Sequence, residues 1–558
     1  MATTHCQIKA KLTGVRNMQC ATSSRYTPLH PIAAGIAISA LVAGAGGALA
    51  SDCGDLAGKV FGPATITAAT TVSPPSSLVG RDPPTPVAIK APFCRVEGVI
   101  KPSADSDIKF EVWLPPESAW NGKYGAIGNG GFAGSLILPS MAWRLEEGYA
   151  VSGTDTGHAG GPLDAAWALG HPEKIADFGW RGVHVTAEAS KGVINAYYGR
   201  APSRSYFAGC SDGGREALMA AQRFPKDFDG IVAGAPANYW TNLMSNAAAI
   251  MRALNQPGAW LSPEDLAVVS EAAQRACPSA DGYLDNPGSC RFDPSTLACK
   301  PGQNDRCLSQ AQLGGLKAIY AGTKDADGKP INPGYPVGGE AGPVAWSLWI
   351  TGTDPKRAAG SLLNGFSSAY FANMVFDKPD WAPSDGSVAG DWSASQKNGE
   401  ALDAANPDLT AFKAAGGKLI QYHGWSDAAI PASSSIDYYK AVADRMGGVD
   451  QIRPFYRLFL APGMMHCGLG PGPGAVGGVF GQPSPGHDPE HDVLAALARW
   501  VEKGVSPESI IATRYKDDDP GKGVAAQRPW CAYPAVARFS GKGEHSDAAN
   551  FTCVAPSE

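Results

Sequence analysis

Between Lys123 and Gly234, short apolar runs alternate with stretches whose apolar residues recur at helical spacing. "KYGAIGNGG", "YAVSGTD", "RSYFAGC" and "GIVAGAP" end in glycine or a turn, the pattern of strands buried on both faces. "HVTAEASKGVINAYYG" and "REALMAAQRF" read as the helices between them. The alternation resumes with the strand "KLIQYHG", the helix "SSIDYYKAVADRMGG", the strand "PFYRLFLAPG" and the helix "DVLAALARWVEKG". This order predicts an α/β fold, a mostly parallel sheet with helices on both faces.

From about Tyr239 to Pro407 the regularity is lost. Four cysteines, many Gly and Pro, and the aromatic clusters "AWSLWITG" and "GFSSAYFANMVF" take its place. The strands beyond are needed to complete the sheet. The pattern therefore predicts one core, residues 51–238 and 408–558, interrupted by an inserted domain over 239–407 with its own short-range disulfides.

Composition narrows the partners. The 558 residues are 44% hydrophobic and 18% charged, ordinary for a globular protein with a large core. A net charge of −6 without a basic run argues against nucleic acid. Lys9, Lys11, Arg16 and Arg25 precede "PIAAGIAISALVAGAGGALA", which closes on Ala48-Leu49-Ala50. Residues 1–50 read as a signal peptide rather than a membrane anchor, because the run is weakly apolar and ends in a cleavage pattern. No later run is long and apolar enough to span a bilayer. A secreted or periplasmic location without a membrane anchor is expected.

Ten cysteines lie beyond that segment, an even number that favours disulfides in an exported chain. Zinc is the competing explanation, but no CxxC pair occurs and the histidines are not spaced as co-ligands.

Gly209-Cys210-Ser211-Asp212-Gly213 fits Gly-x-Ser-x-Gly and sits between a predicted strand and a predicted helix. That is the context of a nucleophile elbow, in which acid and histidine follow the serine in chain order. Asp427 in "YHGWSDAAIP" and His466 in "LFLAPGMMHCG" each follow a strand. Alone, each is as well explained as a helix-capping Asp or a loop histidine; together with Ser211 they form a candidate triad. His158 and His423 also follow strands and are lesser candidates for the base or for lining the site. The candidate oxyanion donors are the amide of Asp212 and one from "IGNGGFAGS", with Gly131 preferred and Gly130 second.

Cys210 precedes the serine and Cys467 follows the histidine. A hydrogen bond between Ser211 and His466 would bring these neighbours within disulfide range, a Cα separation of about 4.4–6.8 Å. The expectation is a staple holding nucleophile and base in register.

Cys-Ser, a distant Asp and His-Cys together resemble the tannase and feruloyl esterase family, which includes mono(2-hydroxyethyl) terephthalate hydrolases. The resemblance runs from "GNGGFAG" through "GCSDGGREALMAAQRFPKDFDGIVAGAPA" to "PGMMHCGLGPG". It implies an α/β-hydrolase core with a lid domain, and a serine esterase acting on small esters of aromatic acids with no cofactor in the chemistry. It also implies the pairs Cys53–Cys94, Cys277–Cys290, Cys299–Cys307 and Cys531–Cys553.

Two departures stand out. Family members commonly carry calcium on an aspartate-rich lid loop, and here "CPSADGYLDNPGSC" is shortened. Asp281, Asp285 and the Tyr283 carbonyl remain as candidate ligands, against a cation that takes about six to eight oxygens. An Asp-Gly turn in a small disulfide loop is the alternative. The terephthalate hydrolases resemble one another in a lid arginine shortly before a Gly-Phe, where "SLLNGFSS" puts Leu362. Feruloyl or galloyl esters then fit better than terephthalate monoesters. Trp346, Trp349 and Phe366 are candidates for an aromatic wall, or for the core of the lid. From a different class, a non-catalytic binding protein on a hydrolase scaffold is the rival.

Overall fold

Consecutive residues of the central strands face opposite ways, and each face has its own apolar core. Phe207, Ile231, Leu419 and Leu458 belong to one cluster; their neighbours Ala208, Val232, Ile420 and Phe459 belong to the other. Burial on both faces is why these strands read as unbroken apolar runs. The computed structural model describes residues 52–80, 84, 86–303, 305–354 and 360–555. The expected signal peptide lies outside the described residues.

The strands are β1 (Val60–Phe61), β2 (Ala64–Val72), β3 (Phe93–Ile100), β4 (Ile108–Leu114), β5 (Lys123–Ile127), β6 (Ala150–Thr154), β7 (Arg204–Cys210), β8 (Gly230–Gly234), β9 (Lys418–Gly424) and β10 (Tyr456–Ala461). They form one sheet in the order β1-β2-β3-β4-β6-β5-β7-β8-β9-β10. Every pairing from β6 to β10 is parallel. The β1–β4 edge is antiparallel and joins through β4 and β6. The sheet is thus mostly parallel, as expected for an α/β-hydrolase fold, with an antiparallel flank added.

Helices cover both faces. α1 (Leu138–Glu146) and the later Val493–Lys503 helix supply Leu138, Met141, Leu494 and Leu497 to one core. α2 (Gly182–Tyr198) and α3 (Asp212–Arg223) supply Val193, Ile194, Leu218 and Met219 to the other. Strands β8 and β9 are direct neighbours, Gly230 opposite Lys418. Between them the chain passes through α4 (Trp240–Leu254), α5 (Pro263–Ala276), α6 (Gln310–Ala321) and α7 (Leu362–Tyr370). Serines start three of these: Ser262, Ser309 and Ser361 each accept from a backbone amide of the first turn. Cys277–Cys290 and Cys299–Cys307 are bonded within this stretch.

After β9 come α8 (Ala432–Met446) and, beyond β10, α9 (Val493–Lys503). The chain ends in two small antiparallel pairs: β11 (Ser509–Tyr515) with β12 (Val524–Cys531), and β13 (Val536–Phe539) with β14 (Phe551–Val554). Cys531–Cys553 ties them together, and Cys53–Cys94 ties the N-terminal turn to β3. Among the described residues no helix is long and apolar enough to cross a membrane.

Candidate active site

Ser211 stands at the turn between β7 and α3 with φ 65° and ψ −120°. That strained backbone lifts the side chain off the sheet edge. The turn closes so tightly that a Cβ on Gly209 would collide with the Gly213 backbone. Asp427 lies just past β9, and His466 in the loop after β10.

The three side chains meet. His466 Nε2 is 2.9 Å from Ser211 Oγ, and His466 Nδ1 is 2.8 Å from Asp427 Oδ2. Asp427 Oδ1 accepts from the amides of Ala429 and Ile430 at 2.8 and 3.0 Å. Burial alone would push this carboxyl up. The nearby His466 charge and the hydrogen bonds of His423 and His466 overcome it, holding Asp427 well below the usual carboxylate range. An ionised acid, an oriented imidazole and a hydroxyl in contact make a proton-transfer chain ending on an oxygen nucleophile.

Gly131 and Asp212 line the same cavity as Ser211, and neither amide donates to a protein acceptor among the described residues. Gly131 has φ 62°, and a Cβ there would strike the Pro162 carbonyl. The loop is tethered to the nucleophile's helix. Glu216 accepts from the Asn129 amide at 2.9 Å, and the Gly213 amide donates to the Asn129 carbonyl at 2.9 Å. Burial, with Asp212 beside it, pushes the Glu216 carboxyl well above its ordinary value. Arg215 ties Asp212 Oδ1 (2.7 Å) to the carbonyls of Gly179 and Phe178.

Cys210 and Cys467 are bonded, their Cα atoms 6.0 Å apart. Cys467 takes φ 60°, so the base's loop is strained where the bond holds it.

Apolar side chains from α4 and α7 wall the cavity: Trp240, Leu243, Met244, Leu363 and Phe366, with Trp349 and Ile430. The Trp349 and His466 rings meet edge to face, centroids 5.0 Å apart, and Trp349 lies parallel to Phe366 at 6.3 Å. Two expectations are corrected here. Trp346 does not line the cavity; it is core, packed on Tyr320 and Tyr335. Leu363, not its neighbour Leu362, reaches the wall, because one residue along a helix turns the side chain by about 100°.

The lesser histidines lie elsewhere. His158 is buried, stacked on Trp167 at 3.8 Å and bonded through Nε2 to the Phe132 carbonyl at 2.7 Å. Burial pushes it down to about 4. His423 sits behind Asp427.

The candidate calcium ligands do not fit that ion. The Arg528 guanidinium is 2% exposed and stands 2.7 Å from Asp281 Oδ2 and 3.1 Å from Asp285 Oδ1. The Phe551 ring lies 3.8 Å from it and the Tyr283 ring 5.9 Å. The Arg528 guanidinium occupies the facing oxygens of both carboxylates, so a divalent ion there would have to stand against a fixed, buried cation and without the roughly six to eight free oxygens it takes. Glu147, His487 and Asp492 also converge, with Arg144 bound to both Glu147 oxygens at 2.7 Å.

The family model described as Tannase and feruloyl esterase matches residues 94–554. The chain belongs to the tannase and feruloyl esterase family. Within it, an uncharacterized esterase of Xanthomonas campestris is 39% identical over 93% of each chain. A probable feruloyl esterase B-2 of Aspergillus terreus is 32% identical over 84% of this chain and 87% of its own. The crystal structure of feruloyl esterase B from Aspergillus oryzae superposes with a TM-score of 0.82 at 29% identity, covering 90% of this chain and 99% of that one. Membership makes the protein a carboxylic ester hydrolase, with no cofactor needed for the chemistry. The rival reading as a non-catalytic binding protein is set aside.

Ser211, Asp427 and His466 were reached from spacing and context. Sequence reasoning missed Glu216, Asn129, Trp240, Leu243, Met244, Leu363 and Ile430. For Leu363 the signal was adjacent; for Glu216 it was the run of charges Asp212, Arg215 and Glu216 at the start of an otherwise largely apolar, buried helix.

Proposed function

We propose that the chain is an exported serine esterase of phenolic-acid esters, with feruloyl and galloyl esters as the substrate class. The observation that carries this is the unbroken contact from Asp427 through His466 to Ser211. His466 takes the Ser211 proton as Oγ attacks the ester carbonyl. The amides of Gly131 and Asp212 receive the developing oxyanion. His466 then protonates the leaving alcohol, giving an acyl-enzyme on Ser211, and activates the water that releases the acid.

The apolar wall supports an aromatic acyl group, and the family's lid-arginine position, matched to Leu362, offers no carboxylate clamp. We read residues 239–407 as the lid that supplies this wall. Five disulfides favour an oxidising compartment.

The test is a panel of methyl ferulate, methyl gallate and a terephthalate monoester, with fluorophosphonate labelling read by peptide mass spectrometry. Expected are labelling at Ser211 and turnover of the phenolic esters above the terephthalate. An unlabelled Ser211, or a Ser211→Ala variant with parental turnover, overturns the mechanism. A preference for the terephthalate monoester overturns the substrate class.

A further inference from the structure

His423 lies near the end of β9, fully buried, four residues before Asp427. Its Nε2 faces two acceptors, the Ile430 carbonyl at 3.0 Å and Asp427 Oδ2 at 3.2 Å. A bare nitrogen there would set lone pairs against a carbonyl and a carboxylate, so Nε2 carries a proton. That proton is aimed at the carbonyl, with the carboxylate oxygen beside it.

The other ring nitrogen explains why the imidazole stays in this form. Nδ1 is 2.7 Å from Ser435 Oγ, and that hydroxyl also receives the Gln421 side-chain amide at 2.6 Å. The Gln421 carbonyl oxygen accepts in turn from the Tyr456 hydroxyl. With one lone pair of Ser435 occupied by Gln421, its single proton goes to Nδ1. A one-way chain results, Tyr456 to Gln421 to Ser435 to His423, closed to water at every member. It makes Nδ1 an acceptor and Nε2 the donor, turned toward the Ile430 carbonyl with the carboxylate oxygen beside it.

Asp427 Oδ2 therefore sits between two imidazoles, His466 in contact with Ser211 and His423 held from behind by the buried chain. The same Ile430 whose carbonyl His423 holds gives its amide to Asp427 Oδ1. Ring, carbonyl and carboxylate form a clamp over the turn 427–430. An ordinary buried histidine would satisfy its nitrogens anywhere; this one spends its donor on the carbonyl of the acid's own turn, with the carboxylate oxygen beside it.

We propose that His423 is a positioning residue for the ester hydrolysis, fixing the Asp427 carboxylate and its turn through the Tyr456–Gln421–Ser435 chain. The proposal rests on the triad reading above. His423 is not among the residues lining the cavity with Ser211, so its removal should act on turnover and spare substrate binding.

The experiment measures kcat, KM, fluorophosphonate labelling rate and melting temperature for the parent, His423→Phe, His423→Gln and Ser435→Ala. His423→Phe should lower kcat and labelling rate together by about 10–100-fold, the scale on which losing the partner behind an orienting group acts at metal sites, with KM within twofold. His423→Gln retains an amide donor for Ile430 and Asp427 and should recover most of that loss. Ser435→Ala frees the tautomer and should lower kcat several-fold with KM unmoved. A folded His423→Phe with parental kcat overturns the proposal, as does an equal loss in the Gln and Phe variants accompanied by a raised KM. If His423→Phe fails to fold, a parental kcat in Ser435→Ala overturns it. Failure to label Ser211 in the parent overturns the triad instead, and so separates the two.

Discussion

Cys210 and Cys467 are bonded across 257 positions of the sequence, one residue before Ser211 and one after His466. The bond joins the two turns whose relative placement decides whether the imidazole can take the serine proton.

Removing it should therefore act on rate before binding. In a Cys210→Ala/Cys467→Ala double variant, kcat should fall while KM for methyl ferulate changes little, because the cavity walls come from α4 and α7. The chain-entropy account gives a ceiling of about 5 kcal/mol for opening so long a loop, so the melting temperature should also drop. Free thiols at both positions in the native protein, read by non-reducing peptide mapping, would reject the staple.

The aromatic wall makes a second prediction. Phe366 packs on Trp349 and lies 5.5 Å from the Phe132 ring. Phe366→Ala removes apolar contact worth about 2 kcal/mol, so kcat/KM for methyl ferulate should fall about 30-fold. An acetyl ester, too small to reach that ring, should lose far less. Equal losses for both esters would place Phe366 outside the acyl site.

The third concerns acid. His158 binds fewer protons folded than unfolded, because burial holds it down to about 4. Its share of stability is complete above the ordinary histidine value and is lost as pH falls from there toward about 4. The loss amounts to about 3 kcal/mol. His158→Gln, which keeps a donor for the Phe132 carbonyl, should flatten melting temperature against pH in that window. The parental slope in the variant would assign the acid sensitivity to other groups.

The fourth concerns metal. With Arg528 already between Asp281 and Asp285, a chelator should leave melting temperature and activity unchanged. Arg528→Met should destabilise by about 2–3 kcal/mol, less than for a fully buried pair because Asp285 is half exposed. A chelator-induced fall in the parent would show that a metal serves there after all.

Ser211, Asp427 and His466 were legible as a candidate triad because each follows a strand of the βα pattern that resumes after residues 239–407, and strand ends converge at one edge of a parallel sheet. In the β1–β4 flank, β2 was not read, since "ATITAATTV" alternates weakly and three of its residues are half-buried. Leu363 was missed by one position because Leu362 was chosen by its place before Gly-Phe in the family resemblance, which does not say which of two adjacent helix residues faces the cavity. Arg528 escaped notice for a different reason. It meets Asp281 from 247 residues away, and nothing local in "AAQRPWC" marks its partner. His423 was noticed as a lesser candidate for the base or for lining the site; it stands against Asp427 and outside the cavity lining, a contact that no spacing in "YHGWSD" marks.

Gly230 and Lys418 sit opposite one another in adjacent strands. Everything the chain does between β8 and β9 thus leaves the sheet and re-enters it at the next lane. Because the cost of closing a loop grows slowly with its length, such an excursion can be lengthened, shortened or exchanged for another while the exit and entry points stay fixed. Ser211 and His466 lie outside the excursion, and most of the acyl wall lies inside it. For engineering, the stretch is a candidate cassette: a graft of the corresponding segment of a relative between these two strands should transfer substrate preference, provided the contacts of Trp349 with His466 and of Asp281 and Asp285 with Arg528 are kept.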